Sequence, residues 1–363
     1  MSKAAELAAL IGSQTALSNR NLVINGAMQV AQRGTSATVG PNGTGEGHTV
    51  LDRFENQLNG SVVSTFTQST DAPPGFANSA KLEITTADSS LSTSEFWQIR
   101  QPIEGQNLQS IDKGTSGAKF LTASFWVKSN KTGTYTVELQ DTDNSRSNSL
   151  AYTINSSDTW EHKTLTFNPD TSGAFNNDNF ESMRLTFWLV AHLPTWSSGT
   201  FYNGTWGADA DGNRVHSSQV NFGDTVGNEW YITGVQLEVG EQATPFEHRS
   251  FGDELLRCQR YFEKSYRYSD APGTVDIDSA VTFLANRNPG NPHYGLRFRT
   301  EKRTDPTIVS YNPNDGTSGE MRNLDASTDD GATIDRIGTN GCTIRSDVGS
   351  TSLGNIMAFH YTA

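Results

Sequence analysis

The chain has 363 residues, of which 33 are glycine, 12 are proline and 10% are aromatic, and its formal net charge is -13. This length is enough for about two or three average domains, and turn residues combined with aromatic residues are typical of short strands. The negative charge disfavours binding to nucleic acid and to anionic lipid. No apolar segment approaches the ~20 residues that cross a bilayer and no signal peptide is predicted, so we expect a soluble product without membrane insertion.

The sequence predicts no catalytic residue, no cofactor and no metal site. Cys258 and Cys342 lack a partner motif, the seven histidines are scattered singly, and neither a nucleophile elbow nor a phosphate-binding loop occurs. Acidic residues are abundant, so a glycosidase pair of carboxylates about 5 to 10 Å apart stays open as an alternative, which spacing along the chain does not test. We therefore expect a binding protein, not an enzyme.

Residues 1–20 predict a short helical segment. Ser2 is a suitable N-cap, and Leu7, Leu10 and Ile11 form one apolar edge. Isolated helices shorter than about 12 residues are marginal in water, so this edge needs a partner surface. We interpret Leu7, Leu10 and Ile11 as an attachment segment, and a frayed terminus is the alternative.

Residues 21–250 predict an antiparallel jelly-roll β-sandwich. Strand-like runs occur at 22–24 and 28–30, and further runs follow with turn clusters between them. These further strands are predicted at residues 62–66, 80–84, 96–99, 120–127, 135–139, 164–167, 183–190 and 229–239. The run 120–127 is too apolar for a strand with one wet face, which predicts a central strand covered on both sides or at an interface.

The remaining chain predicts a helix and a second β region. Residues 251–267 contain apolar residues at helical spacing, with acidic residues early and basic residues late, and we expect this helix to bridge two domains. Phe246 is expected to contribute to an apolar seam where that helix docks. Residues 268–363 predict a small C-terminal β domain, with strands at 281–284, 294–298, 307–311, 333–337 and 355–361.

One loop, residues 195–213, has the composition of a carbohydrate-binding surface. Trp196, Tyr202 and Trp206 provide flat apolar faces, and Asp209 provides a hydrogen-bonding group among Gly and Asn residues. The alternative is that these aromatic residues pack internally or between subunits, because buried aromatic residues are commoner than exposed functional ones. We expect Trp196 to be packed and Trp206 to be exposed.

The same loop has a partial likeness to a calcium loop. Asp209, Asp211 and Asn213 have the spacing of three ligands, but the glycine comes early and no downstream Glu stands at the required place. The sequence leaves calcium binding open.

Four ordered motifs resemble a family of bacteriophage tail-fibre and related virion proteins that contain a jelly roll like those of carbohydrate-binding modules. They are NLVINGAMQVAQRGT (21–35), IRQPIEGQN (99–107), SFWVK (124–128) and GVQLEVGEQATPFEHR (234–249). The resemblance covers about residues 21–267, including CQRYF (258–262), and DPTIVSYNPN (305–314) resembles the start of the C-terminal β region of such proteins. It implies a mainly β protein with a short N-terminal helix, a jelly-roll sandwich, a bridging helix and a small C-terminal β domain.

The resemblance also implies a function. Similar proteins are structural components of the virion, so we expect a tail fibre that contributes to host-surface recognition by binding a glycan. It implies a homotrimer that attaches to other phage structural proteins through its N-terminal segment, located in the virion and made in the host cytoplasm. A head-attached fibre or capsid decoration protein is one alternative, and a polysaccharide-degrading tail spike is the other.

Overall fold

The computed structural model describes residues 19–285, 293–347 and 354–363. The predicted N-terminal helix, with Leu7, Leu10 and Ile11, lies outside these residues. The chain forms two compact units. The first contains the chain up to Gln29 and residues 36–249, and the second contains residues 30–35 and 250–363.

The first unit is a sandwich of two antiparallel six-stranded sheets, which confirms the predicted fold class. The first sheet has the spatial order β1 (Ser36–Val39), β3 (Val63–Ser69), β4 (Ser79–Thr86), β12 (Glu229–Val239), β6 (Leu121–Ser129) and β9 (Glu161–Phe167). The second has the order β11 (Gly207–Ala208), β8 (Arg146–Ile154), β7 (Gly133–Asp141), β10 (Glu181–Ala191), β5 (Phe96–Glu104) and β2 (Glu55–Asn59). The helix α1 (Leu193–Trp196) and four 3-10 turns lie in the connections, the turns at Gly105–Asn107, Gln109–Ile111, Asp211–Asn213 and Phe222–Asp224.

Aromatic side chains fill the space between the two sheets. Phe125 of the first sheet has its ring centroid 5.1 Å from those of Phe187 and Tyr152 of the second. Trp230 of β12, in the first sheet, packs against Phe187 of the second sheet, with 6.2 Å between the two ring centroids. Because side chains alternate along a strand, each residue that points into this core sends its neighbour to an outer face.

The strands predicted between residues 62 and 239 are all present, but the two predicted near the beginning are wrong. Residues 22–24 and 28–30 form turns and irregular backbone. Asn25 and Met28 have φ of 63° and 56°, a left-handed conformation that interrupts a strand. The Asn21 side-chain oxygen accepts hydrogen bonds from the backbone N–H groups of Val23 and Leu237, so local side-chain bonds replace a ladder.

The second unit is a nearly closed antiparallel barrel preceded by the helix α2 (Phe251–Gln259). Its strand order is β13 (Val281–Leu284), β19 (Ile356–Thr362), β16 (Glu320–Asn323), β17 (Thr328–Gly338), β18 (Gly341–Ser346) and β14 (His293–Arg297), and β15 (Val309–Tyr311) also pairs with β19. The Ser250 hydroxyl caps α2 by accepting from the Asp253 N–H at 3.2 Å. None of the helices in the described ranges is long and apolar enough to span a membrane.

A buried ammonium group connects loops of the first unit. Lys113 Nζ lies 2.5 Å from Asp141 Oδ2 and 3.1 Å from Asp170 Oδ2, and it donates to the carbonyls of Ser172 and Gly173. The Lys113 side chain is only 2% exposed. Asp141 ends β7 and the other partners follow β9, so this ammonium joins an end of each sheet.

We predict that Lys113→Met destabilises the chain by about 3 to 5 kcal/mol, because it leaves the buried carboxylate of Asp141 without its cation and leaves Asp170 with Arg146 alone. Urea unfolding at neutral pH measures this change. The matched control is Lys119→Met, which removes an exposed ion pair with Asp112 and should cost less than about 1 kcal/mol. Equal effects of the two substitutions would contradict the structural role of Lys113.

Candidate functional site

The outer face of the first sheet carries rows of aromatic and polar side chains. The strand register places Trp126 of β6 beside His162 of β9 and Thr233 of β12. Two residues further along β6, Lys128 lies beside Tyr231 of β12. Residues two apart on a strand point to the same face, so these rows share one surface.

A groove with a volume of about 520 Å³ lies on this face. The Trp126 and His162 rings line one side, with centroids 5.1 Å apart. Phe76, Phe246 and His248 line the other, and their ring centroids are 4.9 to 5.2 Å apart. The three hydrophobic rings are half-buried and the two imidazoles are exposed, so the groove presents aromatic surface to solvent.

A bulge in β12 lets the two sides of the groove approach each other. The register of β12 against β6 shifts between Thr233 and Gln236, and Gly234 within this bulge has φ of 62°. A Cβ at Gly234 would lie 2.6 Å from the Phe76 ring and 3.2 Å from Trp126. Only glycine suits both this backbone conformation and this close contact.

The segment after β12 is held by a buried carboxylate. Glu238 accepts hydrogen bonds from the backbone N–H of Thr244 at 2.8 Å and from its hydroxyl at 2.6 Å. The Gln236 amide also donates to Glu238, at 2.8 Å. These bonds fix the turn that places Phe246 beside Phe76.

The loop that carries Phe76 is fixed in a similar way. The backbone N–H of Phe76 donates to the Pro73 carbonyl at 3.1 Å, which closes a turn. The Thr233 hydroxyl donates to the Asn78 carbonyl at 2.7 Å and ties the loop to β12. Both aromatic side chains opposite Trp126 are therefore positioned by hydrogen bonds within the first unit.

A second aromatic row adjoins Trp126 on the same face. Trp160 and Tyr231 have ring centroids 6.1 Å apart, and Lys128 Nζ lies 4.2 Å from the Tyr231 centroid and 5.4 Å from that of Trp160. Asp71 forms an ion pair with Lys128 and accepts a hydrogen bond from Trp160 Nε1 at 3.1 Å. The Lys128 ammonium is the main reason that the pKa of Asp71 is lowered.

The structure packs Trp196 internally. This residue is 9% exposed, and its ring centroid lies 5.1 Å from that of Trp188 and 5.3 Å from that of Phe96. The Arg214 guanidinium lies 5.6 Å from the same ring. A ring with these neighbours has little surface left for a sugar, so Trp196 is not part of the groove on the first sheet.

The other predicted loop residues are half-buried or hydrogen-bonded within the fold. The Tyr202 hydroxyl donates to Ala208 O at 2.5 Å and accepts from the Ala210 N–H at 3.0 Å, and partial burial raises its pKa. Trp206 is half-buried, and its Nε1 donates to the Asn168 carbonyl at 2.9 Å. The Tyr202 hydroxyl and the Trp206 indole N–H are therefore used in hydrogen bonds within the fold.

The acidic residues of the same loop face an arginine. Arg214 forms two hydrogen bonds to Glu138, and its nitrogens lie 3.8 Å from Asp209 and from Asp211. Asp209 also accepts hydrogen bonds from two side chains of the second sheet, Gln140 at 2.7 Å and Ser147 at 2.9 Å. Among the residues that the structure describes, no group of three or more His, Cys, Asp or Glu side chains forms a metal site.

The sequence did not indicate the groove, although several of its residues lie within two of the resemblance motifs. Trp126 is in SFWVK, and Phe246 and His248 are in the motif at residues 234–249. The apolar run 120–127 predicts a strand covered on both sides or at an interface, and Phe246 is predicted to contribute to an apolar seam, so neither pattern indicates a groove. The available signal was the pair Phe125 and Trp126. Because neighbouring side chains on a strand point to opposite faces, only one of these two aromatic residues can point into the core.

Comparisons with known proteins give only distant similarity. No family model matches the chain, and no curated protein matches it. Among solved structures, the chain is similar to the enzymatically active domain of bacteriophage CBA120 tailspike protein 4, with 14% identity, a TM-score of 0.31 and coverage of 61% of this chain and 21% of that chain. The chain thus spans about a fifth of that tailspike.

Carbohydrate-binding modules are also similar. The module TmCBM61 in complex with β-1,4-galactotriose has 8% identity and a TM-score of 0.30, with coverage of 61% of this chain and 99% of that chain. The xylan-binding domain of CBM 22 has 10% identity and a TM-score of 0.30, with coverage of 63% and 100%. Similarity at this level does not assign a function to the chain.

The Glu161 carboxylate, next to Trp160, makes the stability of this region depend on pH. Partial burial opposes ionisation of Glu161, but hydrogen bonds from the Lys163 ammonium and from the Ser156 and Asn155 N–H groups outweigh it and lower its pKa to about 2. A carboxyl with a lowered folded-state pKa stabilises the fold above its ordinary pKa, here 4.5, and loses this contribution as the pH falls towards 2. Trp160 directly precedes Glu161, so the hydrogen bonds of Glu161 to Asn155 and Ser156 also help to position the second aromatic row.

We predict that Glu161→Gln lowers stability at pH 6 and that the difference from the parent chain disappears as the pH approaches 2. Urea unfolding at a series of pH values measures it. Glu241→Gln, at an exposed position, is the charge-matched control and should show little change. A difference that is independent of pH would contradict this origin.

Proposed function

We propose that the first unit binds carbohydrate in the groove on the outer face of its first sheet. The observation that supports this most directly is an open groove lined by the half-buried rings of Trp126, Phe76 and Phe246. Aromatic faces pack against the C–H surface of sugar rings, and a groove of this volume is in the range of small-molecule sites. The aromatic surface is solvated without ligand, so covering it with a sugar is favourable.

Polar groups beside the rings complete the proposed site. The exposed imidazoles of His162 and His248 and the hydroxyls of Ser124 and Thr244 line the same groove. Each of these groups is able to donate or accept a hydrogen bond with a sugar hydroxyl. Partial desolvation lowers the pKa of His162, which favours the neutral imidazole with one donor and one acceptor nitrogen at neutral pH.

We further propose that the chain is a tail fibre of a phage virion and that the groove contributes to adsorption to the host surface. The four resemblance motifs support this assignment, and two of them supply groove residues. In this proposal Leu7, Leu10 and Ile11 attach the chain to other virion proteins. A head-attached fibre or capsid decoration protein would use the same groove from another place on the particle.

The proposed activity is binding without hydrolysis. The groove provides rings, imidazoles and hydroxyls, which are groups that stack and hydrogen-bond. A polysaccharide-degrading spike would need two carboxyl groups about 5 to 10 Å apart across the sugar. Incubation of the purified chain with the polysaccharide that it binds distinguishes the two, since a spike releases new reducing ends.

We predict that Trp126→Ala weakens glycan binding by at least ten-fold. The ring is the central stacking surface, and removal of such a residue from a binding site commonly costs about 2 kcal/mol or more. An array of neutral and acidic oligosaccharides identifies a ligand, and calorimetry with the best one measures the change. Trp126→Phe, which keeps an aromatic face, should retain part of the affinity.

Trp206→Ala is the matched control, because it removes the same side chain from the loop that the sequence alone favoured. It should leave glycan affinity unchanged. If Trp206→Ala abolishes binding and Trp126→Ala does not, the site is in the 195–213 loop and the groove proposal is wrong. Binding to no oligosaccharide on the array would contradict carbohydrate binding altogether.

The assembly proposal is tested separately. We propose a homotrimer, on the basis of the family resemblance. Light scattering of the purified chain at micromolar concentration should give about three times the chain mass. A mass of 39.5 kDa would show a monomer and overturn the trimer.

A further inference from the structure

The second unit contains a small depression that carries two arginines. Its volume is about 200 Å³, and Arg297 at the end of β14 and Arg336 in β17 line it. Gly295, Gly341 and Thr343 also line it. A Cβ at Gly295 would meet no atom within 4 Å, so the depression is open at this residue.

These two arginines differ from others in the same unit because their charges are not neutralised. Within the described ranges, the side chains of Arg297 and Arg336 form neither a hydrogen bond nor an ion pair, and both residues are exposed. In contrast, Arg322 donates to Asp329 at 2.7 Å. Arg345 donates to Asp335 and Asp347 at 2.9 and 3.0 Å.

Carboxylates on the neighbouring segments are already engaged. Asp335, next to Arg336 in sequence, is the partner of Arg345. Glu301 accepts a hydrogen bond from the Thr339 hydroxyl at 3.2 Å. In a chain with a net charge of -13, two arginines without a carboxylate partner at one depression leave a local positive site.

The backbone at Arg336 adds an independent observation. Its φ is 52°, in the left-handed region, which costs free energy for a residue other than glycine. It lies in a bulge, because the register of β17 against β18 shifts between Asp335 and Gly338. Bulges redirect side chains, and here the bulge presents Arg336 at the depression.

We propose that this depression binds an anionic group, a carboxylate or a phosphate, carried by a molecule of the surface that the chain recognises. The guanidinium group is planar and donates two parallel hydrogen bonds to either anion, so two of them provide a complementary site. The absent side chain at Gly295, where a Cβ would meet no atom within 4 Å, leaves room for the anion. The inference goes beyond the proposed function, since it assigns a second binding site with different chemistry to the other unit.

The test uses the full chain at low ionic strength, because salt screens exposed charges. Inorganic phosphate, glucuronate and neutral glucose are titrated separately and followed by nuclear magnetic resonance of arginine side chains. We expect saturable shifts with at least one of the two anions and none with glucose. Saturation by phosphate alone supports a phosphorylated ligand, and saturation by glucuronate alone supports an acidic sugar.

Arg336→Asn and Arg297→Gln should each weaken anion binding by at least ten-fold. Asn tolerates the left-handed conformation better than Arg, so Arg336→Asn should keep or raise the thermal stability. The matched control is Arg322→Gln, which removes one positive charge from the same unit at a paired position and should leave binding unchanged. Trp126→Ala should also leave it unchanged, which separates this site from the groove.

Two results would overturn the inference. The first is the absence of saturable binding of either anion. The second is an equal loss of binding in Arg322→Gln and Arg336→Asn, which would show that the net charge of the unit, and not the depression, attracts the anion.

Discussion

The alternation of side chains along β6 and β12 is the constraint on which both the core and the proposed groove depend. Phe125 points inward against the second sheet, so Trp126 must point outward. In the same way, Trp230 enters the core and Tyr231 lies on the outer face. The bulge at Gly234 then brings Phe76 close to Trp126. The residues of β6 and β12 that point inward are required for the core of the sandwich. Because side chains alternate along each strand, this also fixes which aromatic residues lie on the outer face.

Much of the negative charge of the chain stabilises its loops. In the first unit, Asp141 and Asp170 surround Lys113. In the second unit, buried Glu263 accepts hydrogen bonds from Lys302 at 2.7 Å and from the Tyr361 hydroxyl at 2.6 Å. These groups work without disulfides, since both cysteines are free and buried, and burial raises the pKa of Cys342 to about 11. The composition shows the net charge, but it does not show that these carboxylates form hydrogen bonds and ion pairs inside the fold.

Prediction from the sequence was most accurate where apolar residues alternate or run continuously over strand lengths. Residues 229–239 and 281–284 are strands with the predicted bounds. Prediction failed where polar side chains are buried, as in β8, where Ser147, Asn148 and Ser149 are fully buried in a strand without an apolar signal. It also failed near Asn21, where side-chain hydrogen bonds replace a strand.

The sequence by itself determined the mainly β class, most strands and the second helix, because hydrophobic periodicity and turn residues act locally. It also shows which aromatic residues the chain contains, but its composition favoured those of the 195–213 loop and not those of the groove. Only the tertiary structure decided which of them face solvent: Trp196 is enclosed by Trp188 and Phe96, whereas Trp126 lines an open groove with Phe76 and Phe246. The reason is physical, since a ring becomes a binding surface or a core residue according to neighbours that are distant along the chain and meet only through strand register.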